Sequence, residues 1–328
     1  MPLVNVLIPL YEPNLNWLGS VVSDLNRQTH SDFRVSFIDD GSSSPLEHGW
    51  LSERLAAPFS LHRLEKNKGI TNALNLGIAK NDCEFIFRMD ADDRMHPNRI
   101  KTQVEFMKQN PAIGVCGTGA HRFGKKRSQF SPFEHHKEIV VAMLYSNPFC
   151  HPSVCLRQSS IGDAKYPDDV PQAEDYLFWT LLASRGVKFA NLPDIFLGYR
   201  ISGFNSSAAN KQDRSERFNK IQLIAYQNLF GPILPEQLMQ GFESGLQAQL
   251  GINSDPNSRW FSTAELLDHV EVIIELARDR AELFGNNKFL RSKLQSQAEL
   301  AGSWLRVKMK KNLPRPLVFR EPKWIREG

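Results

Sequence analysis

Short apolar runs that stop abruptly in polar or acidic residues dominate the first part of the chain. Val4 to Leu10 leads into Tyr11 and Glu12, Arg34 to Asp39 into Asp40, and Glu84 to Met89 into Asp90-Ala91-Asp92-Asp93, with a further run at Ser60 to Leu64. Each has the length and composition of a buried strand. Between them lie amphipathic segments at about Leu15 to Gln28, Pro45 to Ala56 and Ile70 to Ala79. A fourth follows at Pro97 to Gln109, where Pro97 suits a first helical turn. Strands alternating with helices predict an α/β fold: a Rossmann-like sheet, mostly parallel in this half, flanked by helices. In such sheets ligands collect beyond the carboxyl ends of the strands, which is where the polar clusters fall.

Residues 1–112 form one half of the expected domain and residues 113–204 the other. From about Gly114 to Arg200 the pattern is irregular, with loops around His151 and Pro167 and a well-marked helix starting near Glu174. The polar stretch Asn205 to Gln212 reads as a boundary, and residues 205–328 are expected to be mainly helical, notably at Thr263 to Leu283 and Lys288 to Met309. Leu266, Leu267, Val270, Ile273, Ile274 and Ala277 recur at helical spacing, which serves packing against the body or a contact with a second copy of the chain.

At 328 residues, with 41% hydrophobic and 23% charged residues, the chain has the balance of a globular protein, which excludes disorder and fibrous architecture. No apolar stretch approaches the roughly 18 to 20 residues that cross a bilayer. Leu3 to Leu10 lacks a basic leader and is broken by Pro9, so a first strand is expected there and a cytoplasmic protein overall. Cys83, Cys116, Cys150 and Cys155 form neither a CxxC pair nor a disulfide framework and read as free thiols. The net charge of +4 is uneven: Lys288 to Gly328 holds eleven Lys or Arg against three Glu. That basic tail is a solvated or self-packing face, or else a peripheral contact with anionic lipid at the inner face of a membrane, in which Trp304, Leu313, Phe319 and Trp324 would seat. Without a recognition module or an aromatic platform beside it, nucleic acid is not an expected partner.

Three carboxylates within four residues at a strand terminus repel one another, and a hard divalent cation relieves that repulsion through oxygen ligation. Asp90 to Asp93 therefore reads as a candidate site for Mn²⁺ or Mg²⁺, against the alternative of a turn or helix cap. Phe37-Ile38-Asp39-Asp40-Gly41-Ser42 ends an earlier strand in the same fashion, with Gly41 allowing a tight turn.

The ordered series of motifs resembles inverting family 2 glycosyltransferases of the GT-A fold from about Val4 to Arg200. The motifs are Val6 to Tyr11, Gln28-Thr29 with Phe33, Ile38 to Ser42, Asn67 to Ala79, Arg88 to Asp93, Pro97-Asn98-Arg99, His151-Pro152-Ser153 and Glu174-Asp175. The variant with an Ala-Leu-Asn helix and an Arg-Met-Asp-Ala-Asp-Asp strand is similar to bacterial enzymes that build surface polysaccharides and lipopolysaccharide. The resemblance implies a nucleotide-binding half at 1–112 and an acceptor-binding half at 113–204. It further implies that a hexose is moved from a nucleotide-sugar, first of all a UDP-linked one, to a glycan or lipid-linked acceptor. By the same resemblance Asp40 meets the nucleobase, Pro9, Tyr11 and Glu12 line the nucleotide pocket, and Asn67 and Gly69 lie beside it. Asp90 faces the ribose or a metal-bound water, Asp92 ligates the metal, Asp175 is the general base and Glu174 orients the acceptor. Arg88, counted with the nucleotide site, is expected to pair with the acidic cluster or to form a purely structural ion pair; His151 touches the acceptor or is a satisfied loop residue, and Trp179 reads as a core residue ahead of a stacking platform for the acceptor. Relatives often carry a histidine after a Tyr-Arg pair, whereas here Tyr199-Arg200-Ile201 leads to Ser202, which puts metal affinity in question. A nucleotidyltransferase is the rival enzyme reading, although Val6 to Asn14 holds no glycine and no Lys or Arg for a phosphate loop. A non-catalytic sugar-binding subunit on a retired transferase fold is the other.

Overall fold

The computed structural model describes residues 3–143, 147–168, 173–202, single positions 221, 224, 225 and 228, and residues 323–326. The chain divides into two compact units, and every described residue belongs to the first, Met1–Leu229 with Phe319–Gly328. The second unit, Phe230–Val318, and with it both expected helices at Thr263 and Lys288, lies outside the described residues, as does the expected boundary at 204/205.

Among the described residues nine strands form one mixed sheet. They are β1 (Val4–Leu10), β2 (Phe33–Asp39), β3 (Phe59–Arg63), β4 (Phe85–Arg88), β5 (Arg94–Met95), β6 (Ile113–Gly124), β7 (Ser128–Phe130), β8 (Cys155–Arg157) and β9 (Lys188–Ile201). Their order is β3-β2-β1-β4-β8-β6-β9-β5, with β7 on β6. β3, β2, β1 and β4 run parallel, whereas β8 is antiparallel to β4 and β6. The chain leaves β1 toward β2 and β3, then returns to place β4 on the other side. The chain order therefore reverses between β1 and β4, and sheets of this kind bind ligands beyond the carboxyl ends of the strands at such a switch point.

Side-chain alternation along the central strands divides the core between the two faces of the sheet. Leu7, Ile38 and Ile86 pack on one side with Leu74 and Ile78 of α3 (Ile70–Ala79) and Phe178, Trp179 and Leu182 of the helix Glu174–Ser184. Val6, Ile8, Phe37, Phe85 and Phe87 pack on the other with Leu18, Val21 and Leu25 of α1 (Leu15–Asn26) and Ile100, Val104 and Met107 of Arg99–Gln109. The Gln28-Thr29 motif is a fastener between these two helices: Gln28 Nε2 donates to the His96 carbonyl at 3.0 Å, and the Thr29 N–H to that of Pro97 at 3.0 Å.

Two corrections to the sequence reading concern length and type. The helix expected from Pro45 to Ala56 is only His48–Ser52, α2, whose Glu47 cap gives no side-chain hydrogen bond. The region expected to be irregular contains the two longest strands, β6 and β9, paired in parallel with register shifts between Thr118 and Ala120. Among the described residues the remaining helices are α4 (Arg99–Gln109), α5 (His136–Ala142), α6 (Gln158–Ile161), α7 (Glu174–Ser184) and α8 (Lys323–Arg326), and His151–Ser153 is a 3₁₀ turn. Cys83, Cys116 and Cys155 are buried free thiols, as expected.

The end of the basic tail folds back on this unit. Buried Arg94 chelates Asp24 with Nε at 2.7 Å and Nη2 at 2.9 Å, and donates onward to the carbonyls of Ile325 at 2.6 Å and Trp324 at 3.2 Å. The Trp324 ring stands edge-on to His96. A membrane-seated Trp324 is therefore withdrawn, because its ring and carbonyl are engaged by the protein itself. No described helix is long and apolar enough to cross a membrane.

Candidate active site

At the ends of β1 and β2 the loops are fastened to one another by acids. Glu12 has a φ of 44°, uncommon for a residue with a Cβ, and its N–H donates to Ser42 Oγ at 2.9 Å. Its carboxylate accepts the Ser43 N–H at 2.6 Å, which holds the Glu12 carboxyl below the usual range. Asp39 Oδ1 accepts both the Ser42 N–H and its hydroxyl, at 2.9 and 2.6 Å, making the turn that the sequence allowed for one of the two aspartates. Asp40, 3% exposed, accepts the Lys68 N–H on Oδ1 and the Gly69 N–H on Oδ2, each at 2.8 Å. Asn67 Oδ1 shares the Gly69 N–H at 3.0 Å. Pro9 is half-buried, opposite Ile38 in the strand register, and Tyr11 is 54% exposed at the rim. Tyr11, Glu12, Asp40, Asn67 and Gly69 are thus brought to adjoining loops, with Pro9 near the end of β1.

Gly41 makes this arrangement possible. Its φ is +73°, and a Cβ there would stand 2.6 Å from the Asn67 nitrogen and the Lys66 Cα. Only glycine permits that approach of two backbones.

At the end of β4, one carboxylate oxygen from each of Asp90, Asp92 and Asp93 lies within 4.8 Å of the others. Arg88, 4% exposed, pairs with Asp90 at 2.6 Å, as the sequence predicted. Burial and the Asp90 charge push Asp92 up to about 6, and burial with the Asp90 and Asp92 charges pushes Asp93 well above the carboxylate range. The Arg200 N–H donates to Asp93 Oδ1 at 2.7 Å, while Asp93 Oδ2 is buried with no hydrogen-bond partner among the described residues. Three crowded carboxylates, with one oxygen orphaned and Arg88 paired to Asp90 alone, fit Mn²⁺ or Mg²⁺. Arg200 was not foreseen. Its Nε donates to the Asp92 carbonyl at 2.6 Å and its guanidinium lies between the rings of Trp17 and Phe123, 4.8 and 4.5 Å from their centroids. Its place beside the missing histidine was the available signal.

The second acidic pair opens α7. Glu174 is 9% exposed, and Asp175 accepts the Tyr176 N–H on Oδ1 at 2.8 Å and Asn147 Nδ2 on Oδ2 at 2.6 Å. Burial raises the Asp175 carboxyl despite those two donors and the Arg88 charge. His151 Nδ1 lies 3.9 Å from Asp175 Oδ2, too long for a hydrogen bond, and its Nε2 meets the Tyr166 hydroxyl at 3.0 Å. Burial, and then Arg88, holds His151 well below its usual value, so the ring is neutral. Trp179 is the core residue of the two readings: it is 0% exposed among Phe149, His151, Tyr166 and Phe178 and offers no face to a sugar.

This fold and these acidic strand ends define a GT-A glycosyltransferase. Residues 5–162 match the family described as glycosyl transferase family 2. An uncharacterized glycosyltransferase of Haemophilus influenzae is 30% identical over 203 residues, 60% of this chain and 75% of that protein. The amylovoran biosynthesis glycosyltransferase AmsE of Erwinia amylovora is 29% identical over 204 residues, again 60% and 75%. Among solved structures, S. aureus TarS in complex with UDP-GlcNAc shares the fold at a TM-score of 0.58 and 17% identity, covering 83% of this chain and 80% of that one. A TarS complex with UDP aligns at 0.56 over 90% and 87%, also at 17% identity. The chain belongs to glycosyl transferase family 2. It is an enzyme of that class, which sets aside the nucleotidyltransferase and the retired-subunit readings.

Proposed function

We propose that the enzyme moves a hexose from a UDP-linked donor to a hydroxyl of a glycan or lipid-linked acceptor with inversion, Asp175 acting as general base. Arg88 is the observation that supports this most: it pairs with Asp90 at 2.6 Å, and its charge reaches Asp175. One buried cation therefore bears on both acidic groups, which supports reading them as parts of one site. Asp90, Asp92 and Asp93 would hold the divalent ion, which when bound neutralises charge on the departing diphosphate. Tyr11, Pro9 and the Asp40–Gly69 loop would frame the nucleotide. The UDP and UDP-GlcNAc complexes of the TarS fold and the polysaccharide role in the name of AmsE favour this donor and this acceptor class.

In the reaction the acceptor O–H proton passes to a carboxylate oxygen of Asp175 as that hydroxyl oxygen forms its bond to the anomeric carbon. The bond from that carbon to the diphosphate oxygen breaks on the opposite face, and the nucleoside diphosphate leaves with the electron pair. A carboxylate whose proton affinity is raised by burial is better suited to this task than an exposed one. Asp175→Asn is expected to keep UDP binding and lose about 10²- to 10⁴-fold in kcat. Glu174→Gln should act mainly on the acceptor KM. UDP release from a panel of UDP-sugars and glycoside acceptors measures both, and an Asp175→Asn enzyme within threefold of wild type would refute the assignment.

A further inference from the structure

We propose that Asn147 is the positioning residue of the base: its amide fixes the Asp175 carboxylate in the orientation from which it takes the acceptor proton. The inference rests on the role given to Asp175 above. Asn147 Nδ2 donates to Asp175 Oδ2 at 2.6 Å, while the Oδ1 of the same amide accepts the Phe149 N–H at 3.1 Å. A backbone N–H can only donate, so the amide cannot be turned over without losing both bonds. The Tyr176 N–H holds the other carboxylate oxygen at 2.8 Å. Each oxygen of Asp175 thus has one fixed donor and keeps a lone pair for a substrate.

Both ends of the Asn147 bond are anchored. Phe149, two residues on, packs its ring 5.2 Å from that of Trp179, which lies one turn beyond Asp175 on α7. Asn191 of β9 ties the same segment down, donating to the carbonyls of Phe133 at 2.7 Å and Pro148 at 3.4 Å. The turn that carries Asn147 and the helix that carries Asp175 therefore share one packed body, and the short bond between them is preorganised. Few other groups could do this work. The charged groups facing Asp175 are Arg88 from β4 and Glu174 on its own helix, and the neutral titratable ones are His151 from the 3₁₀ turn and Tyr166 from the following loop. His151 stands 3.9 Å away, its Nε2 already against Tyr166.

A donor aimed at a carboxylate favours its charged form, and an orienting bond confines the attack geometry, where a misplacement of about 1 Å can lower a rate about 10²-fold. Asn147→Ala should therefore lower kcat about 10- to 100-fold with the donor KM and UDP affinity within twofold of wild type. The acid limb of its pH–rate profile should move to higher pH. Asn147→Asp, nearly isosteric, puts a second carboxylate beside the first, so the limb should move further up, with activity recovering in alkaline buffer. The full-length protein is assayed by UDP release from UDP-glucose, UDP-galactose and UDP-N-acetylglucosamine with nitrophenyl glycosides. The titration of Asp175 is read independently of turnover by carboxyl-carbon NMR, using Asp175→Asn to assign the signal. If the Asp175 titration and the acid limb stay in place in both folded variants, the inference is wrong, even where stability falls. If Asp175→Asn itself remains active, the base assignment fails first. If Asp175→Asn is dead while Asn147→Ala matches wild type, only the role of Asn147 is overturned.

Discussion

Replacing Gly41 by alanine tests whether the loop that carries Asp40 is held as tightly as its geometry implies. Two separate terms oppose the substitution. A left-handed backbone at φ +73° costs a residue with a Cβ about 1 to 2 kcal/mol. The added methyl would also meet Lys66 and Asn67 backbone atoms at 2.6 Å, and backbone cannot swing aside as a side chain can. The Lys66–Asn67 segment must then retreat by about 1 Å to reach ordinary contact, carrying the next two N–H groups away from Asp40. Losing one of those charge-assisted bonds adds about 1.5 to 3 kcal/mol, for a total of about 2.5 to 5 kcal/mol. Gly186→Ala is the control, because Gly186 shares a positive φ of 79° and has nothing within 4 Å of its added carbon. It should show the backbone term alone, about 1 to 2 kcal/mol. Urea denaturation of both variants gives the difference, and calorimetric titration with UDP should show weaker binding only in Gly41→Ala. Equal destabilisation of the two variants, with UDP affinity unchanged, would refute the close-approach argument.

Asp24→Asn should destabilise by about 3 to 5 kcal/mol, since it strips the buried Arg94 guanidinium of its carboxylate; thermal denaturation checks this, and a loss under 1 kcal/mol would contradict it. The same variant should expose the Trp324 segment to protease, because Arg94 also holds the carbonyls of Trp324 and Ile325. The Asp92 carboxyl is raised to about 6, so without metal its contribution to stability is greatest when protonated and is lost as pH rises through 6. Mn²⁺ binding should run the other way, weakening by up to about tenfold per pH unit below 6 as protons compete for the same oxygens. Calorimetry at pH 5, 6 and 7 measures this, and Asp92→Asn should weaken both trends, the raised Asp93 carboxyl remaining.

Elements whose character is local were legible in the sequence to the residue. β1 and α3 fall at Val4–Leu10 and Ile70–Ala79 as read, because a continuous apolar run and a helical repeat each announce themselves without a partner. β6 and β9 were hidden for a tertiary reason. Gly117 and Gly119 look like loop residues, yet a Cβ at Gly117 would strike Asn191 and stand 2.8 Å from Phe149, and one at Gly119 would stand 2.7 Å from the Pro193 carbonyl. Pro193 and Asp194, apparent strand breakers, sit in β9 opposite the register shift that absorbs them. Arg99 gave no sign that it is fully buried. Burial lowers its guanidinium to about 10, and it is held by Gln103 at 3.0 Å and the Arg88 carbonyl at 3.0 Å, so a motif that read as a helix start is a brace under the acidic strand end.

The acids at two strand ends look alike in sequence and differ in what the surrounding chain gives them. Asp39 receives the Ser42 N–H and hydroxyl with Arg63 at 3.4 Å, and Asp40 receives two backbone N–H groups. Asp40 is satisfied on both oxygens and Asp39 on Oδ1, its Oδ2 having only the Arg63 charge, and the two fix the shape of the loops around them. Asp90, Asp92 and Asp93 are packed within 4.8 Å of one another with Arg88 on one and a single backbone N–H of Arg200 on another. That supply of donors falls short, and the shortfall appears as carboxyls pushed upward by burial and mutual repulsion. A site that must accept a cation is built by withholding donors, whereas a scaffold is built by supplying them. Counting carboxylates in the sequence locates both clusters, but counting the N–H groups and cations that reach them requires the fold, and that second count separates the loop-fastening acids from the three proposed to hold a metal.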